Sequence, residues 1–169
     1  MPPELQRQRR KRLRLPPVAY RQGNAFHVTI ATADRVPVFA LRPALLGRAD
    51  AVLQELADAR ASLVFAWCVM PDHVHVLLED RDVVAFVRAF KGRMTSHARK
   101  LSVRALWQRS FHDRALRSED AVERAALYVW LNPVEAGLAD DPSSYAGSGS
   151  LAWPNWREAI SEGTLLAHE

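Results

Sequence analysis

Residues 63–79 restrict the fold of this chain more than any other stretch. Leu63 to Met70 is apolar on both alternating sets of positions, the pattern of a central strand covered on both faces. Pro71-Asp72 then makes a tight turn. From His73 to Glu79 the pattern alternates, with Val74, Val76 and Leu78 leaving one face and His73 and His75 the other. Upstream, Phe26, Val28 and Ile30 alternate with His27, Thr29 and Ala31, which reads as a first strand with one buried face. Between these strands, after Pro43, Leu45, Ala49, Val52, Leu53 and Leu56 recur at helical spacing. Downstream, a long helix carries the apolar stripe Val83, Phe86, Val87, Phe90, Met94, His97 and Leu101, so His97 is expected in the core. A short extended piece lies around Trp107 to Leu116. Ser118 is a suitable N-cap for a last helix, with Glu119 and Asp120 favouring its dipole and Pro133 expected to stop it. The order strand, helix, strand, strand, helix, strand predicts an α+β protein. Its plan is the ferredoxin-like βαββαβ with an antiparallel sheet, plus one C-terminal helix.

Length allows one domain with a real core: 169 residues are too few for two full ones. The expected division is a basic arm over 1–21, the domain over 22–148 and a tail over 149–169, whose Trp153 and Trp156 are expected to pack back. No apolar run approaches the roughly 18 residues of a membrane span, and no apolar segment follows the basic N-terminus as in a secretory signal. Cys68 is the single cysteine and lies inside an apolar run, which fits a reducing cytoplasm.

Charge is distributed in blocks. Residues 1–21 carry a net +6, 22–82 a net −3, 83–118 a net +8 and 119–169 a net −7. Two basic blocks in an otherwise acidic chain suggest phosphate-binding surface. Arg9, Arg10, Lys11, Arg12 and Arg14 stand in the first. Arg88, Lys91, Arg93, Arg99, Lys100, Arg109 and Arg114 stand in the second, the expected track for a DNA strand. The plain alternative is a basic tail and a solvated helix face. Trp107 and Phe111 are candidates for stacking on bases; for Trp107, core packing is the competing reading.

His73 and His75 leave one strand face together, and two imidazoles so placed can bind one divalent metal. A pair of ordinary strand histidines is the competing reading. Tyr128 and Asn132 are four apart on the last helix and share a face with the small residues Ala121 and Ala125. That stripe allows close approach to the sheet, which would bring the phenol and amide over the histidines, and an amide oxygen suits a hard cation; plain packing is the competing reading for Tyr128. Tyr20 and Tyr145 lack such company. Asp72 is either an orienting partner of a ligand imidazole or a turn residue. His27, on the more polar face of the first strand, reads as a structural histidine, with a place near the site as the alternative.

Three separated blocks then carry a resemblance. Trp67-Cys68-Val69-Met70-Pro71-Asp72-His73-Val74-His75-Val76-Leu77-Leu78, Leu106-Trp107-Gln108-Arg109-Ser110-Phe111 and Tyr128-Val129-Trp130-Leu131-Asn132-Pro133-Val134-Glu135-Ala136-Gly137-Leu138 occur in this order. They resemble the REP-associated tyrosine transposases, within the single-tyrosine HUH transposases of bacterial insertion sequences. Glu135 departs from the family, whose members commonly carry Arg there. The resemblance implies that His73, His75 and Asn132 are metal ligands and Tyr128 is the nucleophile, so that the last helix is catalytic. It also implies Mg²⁺ or Mn²⁺ as cofactor, single-stranded DNA and DNA hairpins as partners, and cleavage and rejoining through a 5′-phosphotyrosine. A hairpin-binding regulator without turnover, or a metallonuclease using water, are the competing functions. Monomer and homodimer both stay open at this stage, as does exchange of the last helix between subunits.

Overall fold

A computed structural model describes residues 24–163. The candidates Arg9, Arg10, Lys11, Arg12 and Arg14 lie outside the described residues. The chain order is β1 (Ala25–Ala31), α1 (Val38–Leu41), α2 (Pro43–Arg60), β2 (Leu63–Val69), β3 (His73–Glu79), α3 (Val83–Lys100), β4 (His112–Leu116), α4 (Glu119–Glu135), β5 (Ser148–Gly149) and α5 (Trp156–Ser161). The five strands form one antiparallel sheet in the order β4-β1-β3-β2-β5. Leaving out the two-residue β5, this is the split βαβ arrangement expected from the element order.

The sheet is covered on both faces. On one, α2 and α3 pack over Val28, Ile30, Val74, Val76 and Leu78 to form the larger core. On the other, α4 and α5 cover Ala66, Cys68, Met70 and Leu77 through Val122, Ala126, Val129, Trp130 and Trp156. β2 is sandwiched, as its uninterrupted apolar pattern requires. In α3, Ala98 and not His97 continues the buried stripe. His97 is half-buried beside that stripe and accepts a hydrogen bond from Arg48 Nε at 2.7 Å. Leu101 is exposed as well.

Two further departures concern the C-terminal third. Ser118 caps α4 as expected, accepting from the Ala121 amide at 3.2 Å. Pro133, however, does not stop the helix; it sits inside the last turn, where only one backbone bond is forfeited. The end is made by Gly137, in the left-handed region at φ 70°. Its N–H bonds to Val134 O at 3.0 Å and that of Leu138 to Pro133 O at 2.8 Å, the paired bonds of a Schellman cap. Beyond it, the Trp130 indole N–H donates to Gly149 O at 3.1 Å, and its ring stacks on Trp156 at 4.6 Å. A Cβ at Gly149 would run into the Trp67 ring, so glycine permits the approach of β5 to β2. Residue 148 therefore marks no structural boundary.

Candidate active site

Strand register builds the site. β1 pairs with β3 so that Thr29 faces His75 and Ala31 faces His73. β1 pairs with β4 so that His27 faces Arg114 and Thr29 faces His112. Directly paired residues share a sheet face. His73, His75, His27, Thr29, His112 and Arg114 therefore all belong to the face under α4.

On that face the imidazoles form a chain of contacts. Asp72 Oδ1 lies 2.6 Å from His73 Nδ1, and His73 Nε2 lies 3.0 Å from His75 Nε2. On the far side of the His75 ring, Nδ1 lies 3.0 Å from His27 Nε2 and 3.2 Å from Thr29 Oγ1. Asp72 is itself fixed. Arg35 Nε reaches its second oxygen at 3.0 Å, and the amide of the buried Thr32 donates to its backbone carbonyl at 2.9 Å. Arg35 adopts φ 56° to make this reach, a conformation that non-glycine residues seldom hold without support. The Asp72 carboxylate thus orients the His73 imidazole, one of the two readings its position allowed.

Burial keeps the inner rings neutral. His75 is 5 % exposed. Its pKa falls to about 3, chiefly through burial, with the neighbouring His27 and His73 adding to the fall and a hydrogen bond with Asn132 opposing it. That of His27 falls to about 4 through burial and then through Arg114. A neutral ring offers one lone pair, and the other nitrogen's partner decides which. With Nδ1–H of His73 turned to Asp72, its Nε2 lone pair points toward His75. When His75 carries its proton on Nδ1, facing His27 and Thr29, its Nε2 lone pair converges on the same place. Cis ligands of an octahedral ion with bonds of about 2.1 Å stand about 3.0 Å apart, so the donor set fits one small divalent cation. His27 touches the opposite edge of the His75 ring and cannot share that ion. In keeping with this, no group of three or more His, Cys, Asp or Glu with metal-binding geometry occurs among the described residues. Further ligands would have to be neutral oxygens such as that of Asn132.

Tyr128 and Asn132 arrive from α4. The Tyr128 ring stands edge-on to His27 and His75, with centroids 5.8 Å and 5.9 Å away. It remains 48 % exposed, open to a large substrate. Asn132 donates through Nδ2 to Tyr128 O at 2.7 Å and stands near enough to His75 to oppose the fall of its pKa. The Ala121/Ala125 stripe is not the main contact of α4 with the sheet, however. Val122, Ala126, Val129, Trp130 and Pro133 are buried there, one helix face over. The small residues instead border an open groove, lined also by His27, Arg114, Leu116, Arg124 and Tyr128.

The second basic block is divided by the fold. Arg88, Lys91, Arg93, Arg99 and Lys100 stand on α3, across the sheet from α4. Arg93 pairs with Glu55 at 3.2 Å, and Lys91 Nζ donates to Gln108 O at 2.6 Å. Arg88, Lys91 and Arg109 line a shallow groove of their own. Of the candidates in this block, only Arg114 lies beside the histidines. Phe111 is buried in the larger core, and Trp107 is wedged against Phe39 and Phe90, with its indole N–H donating to Lys91 O at 3.1 Å. Both rings pack against the larger core, Phe111 buried in it and Trp107 only in part. Sequence reasoning had favoured a structural role for His27 over a place near the site, and it passed over Arg35, Thr29 and Arg124. Only the alternation of β1 pointed to His27, since it put that ring on the less apolar face.

Fold and site together define a class: a small open-sheet α+β protein with an imidazole cluster under a helix that presents a tyrosine. Residues 21–129 match the family described as IS200-like transposases. The chain belongs to that family and is thus a transposase, an enzyme that processes DNA. Among solved structures it is similar in fold to a REP-associated tyrosine transposase bound to a REP hairpin. The TM-score there is 0.63 at 20% identity, over 83% of this chain and 81% of the other. A structure described as a transposase from Deinococcus radiodurans R1 aligns at TM-score 0.45 and 27% identity, over 62% of this chain and 87% of the other. No curated protein matches the chain. Among the described residues no helix is long and apolar enough to cross a membrane.

Proposed function

We propose that the protein cleaves and rejoins single-stranded DNA next to hairpins through a covalent 5′-phosphotyrosine on Tyr128. The observation that carries this reading is the meeting of four rings from three elements. The Tyr128 phenol lies edge-on to His75 and His27, while His73 and His75 bring their Nε2 atoms within 3.0 Å of one another. Tyr128 Oη attacks the scissile phosphorus; the new bond joins the tyrosine to the 5′ side of the break, and the 3′ oxygen leaves as a hydroxyl. His73 and His75 would hold a divalent cation, Mg²⁺ or Mn²⁺, with Asn132 as the third protein ligand. When bound, that cation supplies Lewis-acid polarisation of the phosphate and charge stabilisation on the leaving oxygen. Asp72 and His27 fix the orientation of the two ligand rings. One phosphodiester replaces another of similar energy, so the reverse attack by a 3′-hydroxyl rejoins strands without a nucleotide cofactor. The similarity in fold to a transposase bound to a REP hairpin supports hairpin DNA as the partner.

The test is a labelled DNA hairpin with single-stranded flanks, incubated with Mn²⁺ and run on a denaturing gel. A protein–DNA adduct is expected from the wild type and none from Tyr128→Phe. Adduct retained in that variant removes Tyr128 from the role. Cleaved DNA with no protein attached points instead to water as the nucleophile, and binding without cleavage to a regulator.

A further inference from the structure

The groove beside Tyr128 has a chemistry of its own. It runs along α4 between that helix and β4, with a volume of about 380 Å³. This lies near the lower end of the roughly 300–1,000 Å³ of small-molecule clefts. It is therefore sized for one nucleotide and too small for a duplex. Tyr128 closes one end. Ala121, Ala125, Leu116 and His27 form the floor, where methyl groups and a neutral ring leave room and bring no negative charge. Arg114 reaches in from β4, directly across from His27. Arg124 reaches in from α4, one turn before Tyr128 and so on the same helix face. No acidic side chain lines the groove. Both guanidinium groups are on exposed residues, and neither has a carboxylate partner among the described residues. The next groove along α4 is the reverse, with Glu79, Glu119 and Glu123 around Arg117. The positive end of this surface is thus the end at the tyrosine.

We propose that this groove seats the nucleotide adjoining the scissile phosphate, with Arg114 and Arg124 meeting its backbone phosphate from opposite walls. The assignment rests on Tyr128 being the nucleophile, but the groove's affinity for a phosphodiester chain does not. Opposed guanidinium groups suit a phosphate because each can present two parallel N–H donors. They would hold the strand in line with the phenol rather than take part in bond breaking, so both are positioning residues.

The experiment measures binding of fluorescent oligothymidylate as salt is raised, since phosphate contacts are independent of sequence. Each phosphate contact on a single strand contributes about 0.7 to the slope of log affinity against log salt. Arg114→Ala and Arg124→Ala should each lower the slope by about 0.7, and the double variant by about 1.4. Arg→Lys at either position should restore most of it. Arg81→Ala, exposed at the far end of β3, should leave the slope as in the wild type. An unchanged slope in the double variant overturns the proposal, as does an equal fall in Arg81→Ala or a wild type that does not bind the probe. Because no cleavage is needed, failure here is separable from failure to form an adduct. Where the adduct forms and its position is mapped, a neutral methylphosphonate next to the scissile phosphate should weaken the wild type and leave the double variant unaffected. Additive losses there overturn the placement.

Discussion

Asp72, His73, His75 and His27 act as one unit because each leaves the next a single way to place its proton. Asp72 takes His73 Nδ1–H, and His27 with Thr29 takes the Nδ1 side of His75. Removing an outer partner from such a ligand usually weakens metal binding by about 10–100-fold. Asp72→Asn and His27→Phe are expected to lower Mn²⁺ affinity within that range by calorimetry while the chain stays folded. Unchanged affinity would mean that the ligand rings need no such support. The same burial makes the metal-free fold sensitive to acid. Unfolded histidines protonate near 6.5, whereas folded His27 and His75 do so only at about 4 and about 3. The unfolded chain therefore binds more protons throughout that window. Stability is full above pH 6.5 and falls as the pH drops toward 4, by at most about 1.4 kcal/mol per pH unit for each ring. Urea midpoints at pH 7.5 and 4.5 should show the loss, and His27→Gln with His75→Gln should remove most of it. This interval lies above the window of the carboxylate Asp80, which its bonds to Arg60 and Ser62 hold below the usual carboxylate value.

At the scale of elements, α4 decides whether the phenol reaches the sheet. Its start is set by Ser118, its end by Gly137, and its seating by Trp130 against Trp156 and Gly149. Nothing crowds a Cβ at Gly137, so Gly137→Ala costs only the left-handed backbone, about 1 kcal/mol or a few degrees in Tm by calorimetry. Trp130→Ala removes a fully buried side chain and should cost about 3–5 kcal/mol. It should also cut adduct yield per folded molecule, because Tyr128 lies two residues away on the helix that loses its seat. A variant with normal yield would show that the helix is held in place elsewhere.

For the whole molecule, the sheet separates two tasks. The larger core under α2 and α3 carries none of the proposed site, whereas the face under α4 carries both a second core and the proposed site. Phe90→Ala in the larger core is expected to cost about 3–5 kcal/mol in denaturant unfolding and yet leave adduct yield per folded molecule near that of the wild type. An equal loss of yield in Phe90→Ala and Trp130→Ala would contradict this division.

The amino-acid pattern by itself determined the βαββαβ order with the helix after it, the antiparallel sheet, the sandwiched β2 and the pairing of His73 with His75. These follow from periods of two and 3.6 and from i, i+4 spacing, which are local. It could not place His27 against His75, 48 residues away. Nor could it show that α4 buries its Val122 face while the alanines edge a groove, or that α3 carries most of the basic block to the other side of the sheet. Register, helix rotation and the face on which a helix lands depend on how the whole core packs. Only the tertiary structure decided which charges and rings share the neighbourhood of Tyr128.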